Sequence, residues 1–186
     1  MRIISGKFKG KKIIYPIDKK TRPLRDLVKE SIFNVIEHSN KINVSIKNSI
    51  ILDLFSGSGS FGLEALSRGA KKCLFVENYT SALTSLNENI KKLKCHESCL
   101  LTKFDCFKFI KSLQKNELKL DIIFLDPPYK EEKINFLIEN ILKKNILNKN
   151  GIIIIHRHKK DNIRITEKLN ILDLRLYGVS KIMFGN

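Results

Sequence analysis

The sequence predicts a doubly wound α/β fold: a mostly parallel sheet with helices on both faces, an antiparallel C-terminal strand and a basic N-terminal hairpin extension. Three observations carry this reading. From Ser49 onward, short apolar stretches alternate with longer ones of helical periodicity. The stretches SIILDLF, KCLFVE, DIIFLD and IIIIH are apolar almost throughout, as strands covered on both faces are. The tail, ILDLRLY then Gly178 then VSKIMF, reads as two strands joined tightly, which requires antiparallel pairing.

In chain order, the first 25 residues hold nine Lys or Arg against one acid, Asp18. Within them RIISGKFKGKKIIYP alternates well enough for a short hairpin, punctuated by Gly6 and Gly10. In TRPLRDLVKESIFNVIEH, Leu27, Ile32, Val35 and Ile36 recur at helical spacing, and Asp26 and Glu30 suit a helix N-terminal half. SIILDLF is the first strand and GLEALSRG a helix stopped by Gly69. KCLFVE is the second strand. Leu83, Leu86, Ile90 and Leu93 then form a helical stripe in SALTSLNENIKKLK. CLLTKFD and DIIFLD are strands three and four, separated by a short helix around FKFIKSL. INFLIENILKKNIL is a further helix, and NKNG turns into the fifth strand, IIIIH. No internal repeat interrupts the pattern. A single domain over 1–186 is expected, with residues 1–25 as a basic extension and 26–186 as the core.

A chain of 186 residues is long enough for one well-buried core, and 42% hydrophobic with 29% charged residues is ordinary. The net charge of +16 is not. Lysine outnumbers arginine 28 to 7, and Ile and Asn are also abundant, so codon bias is the competing reading of this charge. The functional source is a polyanionic partner, most simply a nucleic acid. MRIISGKFKGKK lacks the apolar core of a signal peptide, and no apolar run reaches the ~18 residues of a membrane span. A cytoplasmic protein with no membrane association is therefore expected, with Cys73, Cys95, Cys99 and Cys106 as reduced thiols. The stretch CHESC offers three metal ligands, but no second Cys or His pair is found nearby, so no metal is expected.

The first strand runs into DLFSGSGSFG, where Gly57, Gly59 and Gly62 form a G-x-G-x-x-G turn between strand and helix. Such a turn lets the backbone approach a cofactor closely at the carboxyl edge of the sheet. Glu77 ends the second strand, twenty residues after Gly57, where an acid can accept hydrogen bonds from ribose hydroxyls. Asp53, four residues ahead of Gly57, would repel a pyrophosphate and welcome a cofactor with a cationic amino-acid end. Asp105, after Phe104, supplies an acceptor where an adenine amino group could lie. S-adenosylmethionine is the cofactor whose charges suit these acids. The candidate cofactor-binding set is Asp53, Phe55, Gly57, Gly59, Glu77, Asn78, Asp105 and Cys106. A capping or solvated role is the competing reading of each acid.

The fourth strand ends on Asp126, Pro127, Pro128 and Tyr129. Two prolines hold the chain stiffly and remove its N–H donors, so carbonyls can point inward without local bonds. The Asp126 carboxylate and the Pro127 carbonyl can together accept both hydrogens of a planar amino group. Attack of that nitrogen on a sulfonium methyl develops positive charge, so preoriented acceptors favour the transition state over the ground state. Tyr129 offers a ring to stack on a base. These four are the candidate catalytic residues; the competing reading is a rigid turn that merely ends a strand.

ILDLFSGSGSFGLEALSRGA, FVE and FLDPPY resemble the class I S-adenosylmethionine-dependent amino-methyltransferases. More narrowly, RIISGKFKGKKI, TRPLRDLVKESIFNVIE and the closing RLYGVSKIMF resemble the RsmD family, which methylates guanine N2 of small-subunit (16S) ribosomal RNA. The resemblance implies a Rossmann-like core. It also implies cofactor contacts at Asp53, Gly57, Gly59, Glu77 and Asp105, and an amine held by Asp126 to Tyr129. Two places depart from the pattern: Leu24-Arg25 replaces small polar residues, and His156 stands where an acid frequently closes the fifth strand.

A base paired or packed in folded RNA must be turned out to reach such a pocket. Arg2, Lys7, Lys9, Lys11, Lys12, Arg22 and Arg25 form the expected phosphate-gripping surface. The expected partner is small-subunit ribosomal RNA or the assembling small subunit, and the protein is expected to be a monomer. Other readings remain: an amino-methyltransferase for adenine N6 or a glutamine amide, or a noncatalytic RNA-binding assembly factor. Asp126, rather than Asn, favours a nucleobase, and the intact loop and corner argue against a decayed site.

Overall fold

The computed structural model describes residues 1–16, 18 and 24–186. Seven strands form one sheet: β1 (Ile50–Leu54), β2 (Lys72–Glu77), β3 (Cys99–Lys103), β4 (Leu120–Leu125), β5 (Leu147–His158), β6 (Ile171–Tyr177) and β7 (Ser180–Gly185). Their order across the sheet is β3-β2-β1-β4-β5-β7-β6. The first five are parallel, while β7 runs antiparallel to both β5 and β6. Among the described residues five α-helices accompany them: α1 (Asp26–His38), α2 (Ser60–Ser67), α3 (Thr80–Leu93), α4 (Cys106–Ser112) and α5 (Ile134–Lys144).

Alternation along the strands separates two apolar layers. Ile51, Phe75, Ile122, Phe124, Ile152 and Ile154 face the layer holding residues of α1, α2 and α3. Leu52, Leu54, Ile123, Leu125, Ile153 and Ile155 face the one holding residues of α4 and α5. Burial on both faces is why these strands read as unbroken apolar runs. Because β1 pairs with both β2 and β4, the strand order reverses there, and a crevice opens beyond the carboxyl ends of β1 and β4.

In the N-terminal extension the Ile3 N–H donates to the Lys11 carbonyl at 2.9 Å, the Gly10 N–H to the Ile3 carbonyl at 2.8 Å and the Ile13 N–H to the Met1 carbonyl at 3.2 Å. Arg2 and Lys12 make one isolated antiparallel bridge, and a 3-10 turn at Gly6–Phe8 fills the loop between them. Beyond this short pairing, other polar groups of the segment bond to the core. The Ile4 and Ser5 N–H groups donate to the buried Glu64 carboxylate, at 2.7 and 3.0 Å. The fully buried Lys29 ammonium donates to the Arg2 carbonyl at 2.7 Å and pairs with Glu64 at 3.4 Å. Farther along, Asn89 grips Ile14 at both its N–H and its carbonyl, and also donates to the Ser58 carbonyl in the glycine loop. Arg2, Lys7, Lys9, Lys11, Lys12 and Arg25 are left exposed, and Arg22 lies outside the described residues.

Two differences from the expected elements have simple causes. NKNG lies inside β5 rather than before it, with an irregular register between Leu120 and Ile122 absorbing the extra residues. Strand β3 ends at Lys103, so Asp105 belongs to the next helix as its N-cap.

Candidate active site

A cavity of about 470 Å³ lies beyond the carboxyl ends of β1, β2 and β4. One side of it is the glycine loop. Gly57 has φ +54°, a backbone conformation costly for L side chains, and open space where a Cβ would be. Gly62 serves packing instead: a Cβ there would come within 2.3 Å of the Phe75 ring, pushing α2 off the sheet.

The carboxylates fix this loop. Asp53 is 1% exposed, and its Oδ2 accepts the Gly62 N–H at 3.0 Å, tying the end of β1 to the first turn of α2. Desolvation pushes its pKa well above the usual carboxylate range, the Gly62 bond opposes this, and the charges of Asp126 and Glu77 add to the rise. Glu77 accepts the Gly57 N–H at 2.8 Å on one oxygen and the Asn78 and Tyr79 N–H groups, at 2.8 and 2.9 Å, on the other. The acid read from sequence as a ribose acceptor thus also holds the loop and the start of α3. One lone pair on the Gly57-bonded oxygen is left for a ligand.

The opposite side is the Asp126 to Tyr129 corner, all four residues of which line the cavity. Buried Arg157, 1% exposed, holds the chain after it. Its guanidinium donates to the carbonyls of Pro128 (3.2 Å), Tyr129 (3.0 Å) and Glu131 (3.1 Å), and pairs with Asp161. Among the described residues no donor reaches the Pro127 carbonyl. The Tyr129 ring meets His158 edge-on, at 5.1 Å between centroids.

Of the candidate cofactor residues, Asp53, Phe55, Gly57, Glu77 and Asn78 line the cavity. Gly59 lies behind it, against Leu86, where a Cβ would come within 2.3 Å of a methyl group. Asp105 and Cys106 are not brought to it. The Asp105 Oδ1 accepts the Lys108 N–H at 2.9 Å, which is the helix-capping role weighed against cofactor binding. The Cys106 thiol is 3% exposed and accepts the Phe55 N–H at 3.2 Å, beneath the loop.

Sequence reasoning did not single out Tyr15, Tyr79 or Arg157, and it noted His156 only as a departure. Tyr15 lines the cavity, and its buried hydroxyl has no hydrogen-bond partner among the described residues. Only its place beside a basic segment marked it. For Arg157, a cation two residues after a run of four isoleucines was a usable signal, since a buried guanidinium needs several acceptors.

The charge of the cavity opposes that of the chain. In a protein of net charge +16, Asp53, Glu77 and Asp126 converge on one cavity, and no Lys or Arg lines it among the described residues. A cationic ligand fits this lining and a pyrophosphate does not.

Comparison with known proteins agrees. Ribosomal RNA small subunit methyltransferase D of Haemophilus influenzae is 34% identical over 184 residues, covering 96% of this chain and 90% of that protein. The solved structure of HI0767 from Haemophilus influenzae is 30% identical, with a TM-score of 0.78 over 100% of this chain and 97% of that one. SMU.776, solved in complex with SAH, shares the fold at 22% identity, with a TM-score of 0.62 over 84% of this chain and 48% of that one. A family model described as Conserved hypothetical protein 95 matches residues 1–186, and the chain belongs to that family, the RsmD family.

Proposed function

We propose that the protein is an S-adenosylmethionine-dependent methyltransferase for the exocyclic N2 amine of a guanine in small-subunit (16S) ribosomal RNA. The observation that carries this is the juxtaposition, in one acid-lined cavity, of the glycine loop with the Asp126 to Tyr129 corner. S-adenosylmethionine, when bound, supplies an electrophilic methyl on a cationic sulfur. Gly57 and Asn78 line the cavity beside Glu77, whose free lone pair would accept from the cofactor's ribose, and the buried Asp53, once ionised, would favour its cationic amino-acid end. Asp126 and the Pro127 carbonyl accept the two amine hydrogens, which directs the nitrogen lone pair toward the methyl carbon. Methylation would leave the nitrogen cationic, and Asp126 would be the adjacent acceptor for the proton it then sheds. Tyr129 stacks on the turned-out base.

The exposed Arg2, Lys7, Lys9, Lys11, Lys12 and Arg25 grip phosphates of the RNA. Cys106 supports the loop from behind, and Asp105 caps α4. The reading makes the protein a cytoplasmic monomer whose substrate is ribosomal RNA, free or in an assembling small subunit. No described helix is long and apolar enough to cross a membrane.

The test is nucleoside analysis of small-subunit RNA from cells with and without the gene, then methylation of the deficient RNA or particle by purified protein. One N2-methylguanosine should vanish with the gene and return with the protein. Loss of N6-methyladenosine instead would move the reaction to another base. An unchanged modification pattern, with no transfer to any RNA or particle, would favour the noncatalytic assembly factor.

A further inference from the structure

We infer that His156 is a positioning residue that sets which oxygen of the Asp126 carboxylate meets the amine, an inference that rests on the methyltransferase reading above. The last rung between β4 and β5 pairs Leu125 with Ile155, so Asp126 and His156 come next, side by side on the same face. The His156 Nδ1 lies 2.8 Å from Asp126 Oδ1, and its Nε2 lies 2.9 Å from the Ser180 hydroxyl on β7. His156 and Ser180 are 6% and 3% exposed, so both ring contacts are made by a largely buried imidazole.

A carboxylate only accepts, so Nδ1 carries the hydrogen and donates to Asp126. In the tautomer with Nδ1–H, Nε2 is left to accept the Ser180 O–H. This chain of two bonds locks the ring, and the ring locks Oδ1. Asp126 comes after the last rung of its strand and keeps 21% of its side chain exposed, so without that bond the carboxylate is free to turn toward water. With it, Oδ2 stays directed at the cavity as the amine acceptor. An imidazole N–H orients the acid without adding an ammonium or guanidinium beside a nitrogen that is about to become cationic. Arg157, the next residue, projects to the other face and secures the carbonyls of the same corner.

The test uses two isosteric halves of histidine. Asn at position 156 retains a donor near Nδ1, whereas Gln places its amide near Nε2 and loses the bond to Asp126. In single-turnover methyl transfer with cofactor and RNA saturating, His156→Gln should slow the step on the order of 10²-fold, as for a misplaced reacting group. His156→Asn should recover most of that loss, and cofactor affinity should match wild type in both. A second readout needs no activity: nitrogen-15 spectra of the cofactor-free protein should show a solvent-protected His156 Nδ1–H that disappears in Asp126→Ala. Equal rates for the Asn and Gln variants, or a wild-type ring lacking that Nδ1–H, would overturn the inference. A wild-type protein that shows the Nδ1–H but transfers no methyl to any RNA or particle would instead overturn the methyltransferase reading, and with it this role.

Discussion

The two sides of the cavity are held by different means. On the glycine-loop side, carboxylates at strand ends bind backbone N–H groups: Asp53 takes Gly62 and Glu77 takes Gly57. On the corner side, β5 side chains bind the segment that β4 runs into: His156 takes the Asp126 carboxylate and Arg157 takes three carbonyls. The first arrangement joins a loop to acids that the same motif supplies, nine and twenty residues away along the chain. The second joins segments 26 to 30 residues apart, through a register that folding alone establishes. A cofactor side that tolerates one family of ligands can be local, whereas acceptors aimed at a reacting nitrogen need cross-strand support.

The largest effect should come from breaking the corner's support. Arg157→Met strands the Asp161 carboxylate and three carbonyls, and loss of one partner of a buried ion pair costs about 3–5 kcal/mol. Urea unfolding should show that loss, and an unfolding curve within about 0.5 kcal/mol of wild type would mean the corner stands without Arg157.

Glu77→Ala attacks the other side. It should weaken S-adenosylmethionine binding by about 1.5–3 kcal/mol, as for hydrogen bonds to a charged group. Calorimetry would detect this, and tight NAD binding in place of the methyl donor would refute the cofactor assignment.

Asp53 sharpens the comparison through pH. Its raised pKa favours the neutral acid in the cofactor-free fold. That contribution to stability is present below the ordinary carboxylate range and is lost as pH rises through the raised value. A cationic cofactor favours the ionised form, so binding should release protons and tighten as pH rises through that value. Calorimetry in buffers of different ionisation enthalpy measures the release, and binding that leaves protonation unchanged at every pH would contradict it.

The smallest effect lies outside the cavity. Neutralising Lys7, Lys9, Lys11 and Lys12 together should flatten the salt dependence of RNA affinity by about 0.7–0.9 for each phosphate no longer neutralised, with cofactor binding unaltered. An unaltered salt slope would make this surface a solvated face only.

Legibility in the sequence divides along the same line. The alternation of strands and helices, the glycine turn and the rigid corner are local patterns, and each appears where periodicity and turn chemistry placed it. Alternation in RIISGKFKGKKI cannot reveal that Glu64 and Lys29 tie this segment to the core. Asp105 is ambiguous by type, since an acid before a helix serves equally as cap and as ligand. The partnership of His156 with Asp126 depends on strand register and side-chain face, which no local stretch encodes.

The central claim is that the corner holds the amine while the loop holds the cofactor. Asp126→Ala tests it most directly, by calorimetric titration with S-adenosylmethionine and by single-turnover methyl transfer to unmodified small-subunit RNA at saturating cofactor and RNA. Removing one preorganised acceptor should slow transfer by roughly 10²–10³-fold, about 2.7–4 kcal/mol, with cofactor affinity near wild type. Transfer at the wild-type rate would contradict the claim.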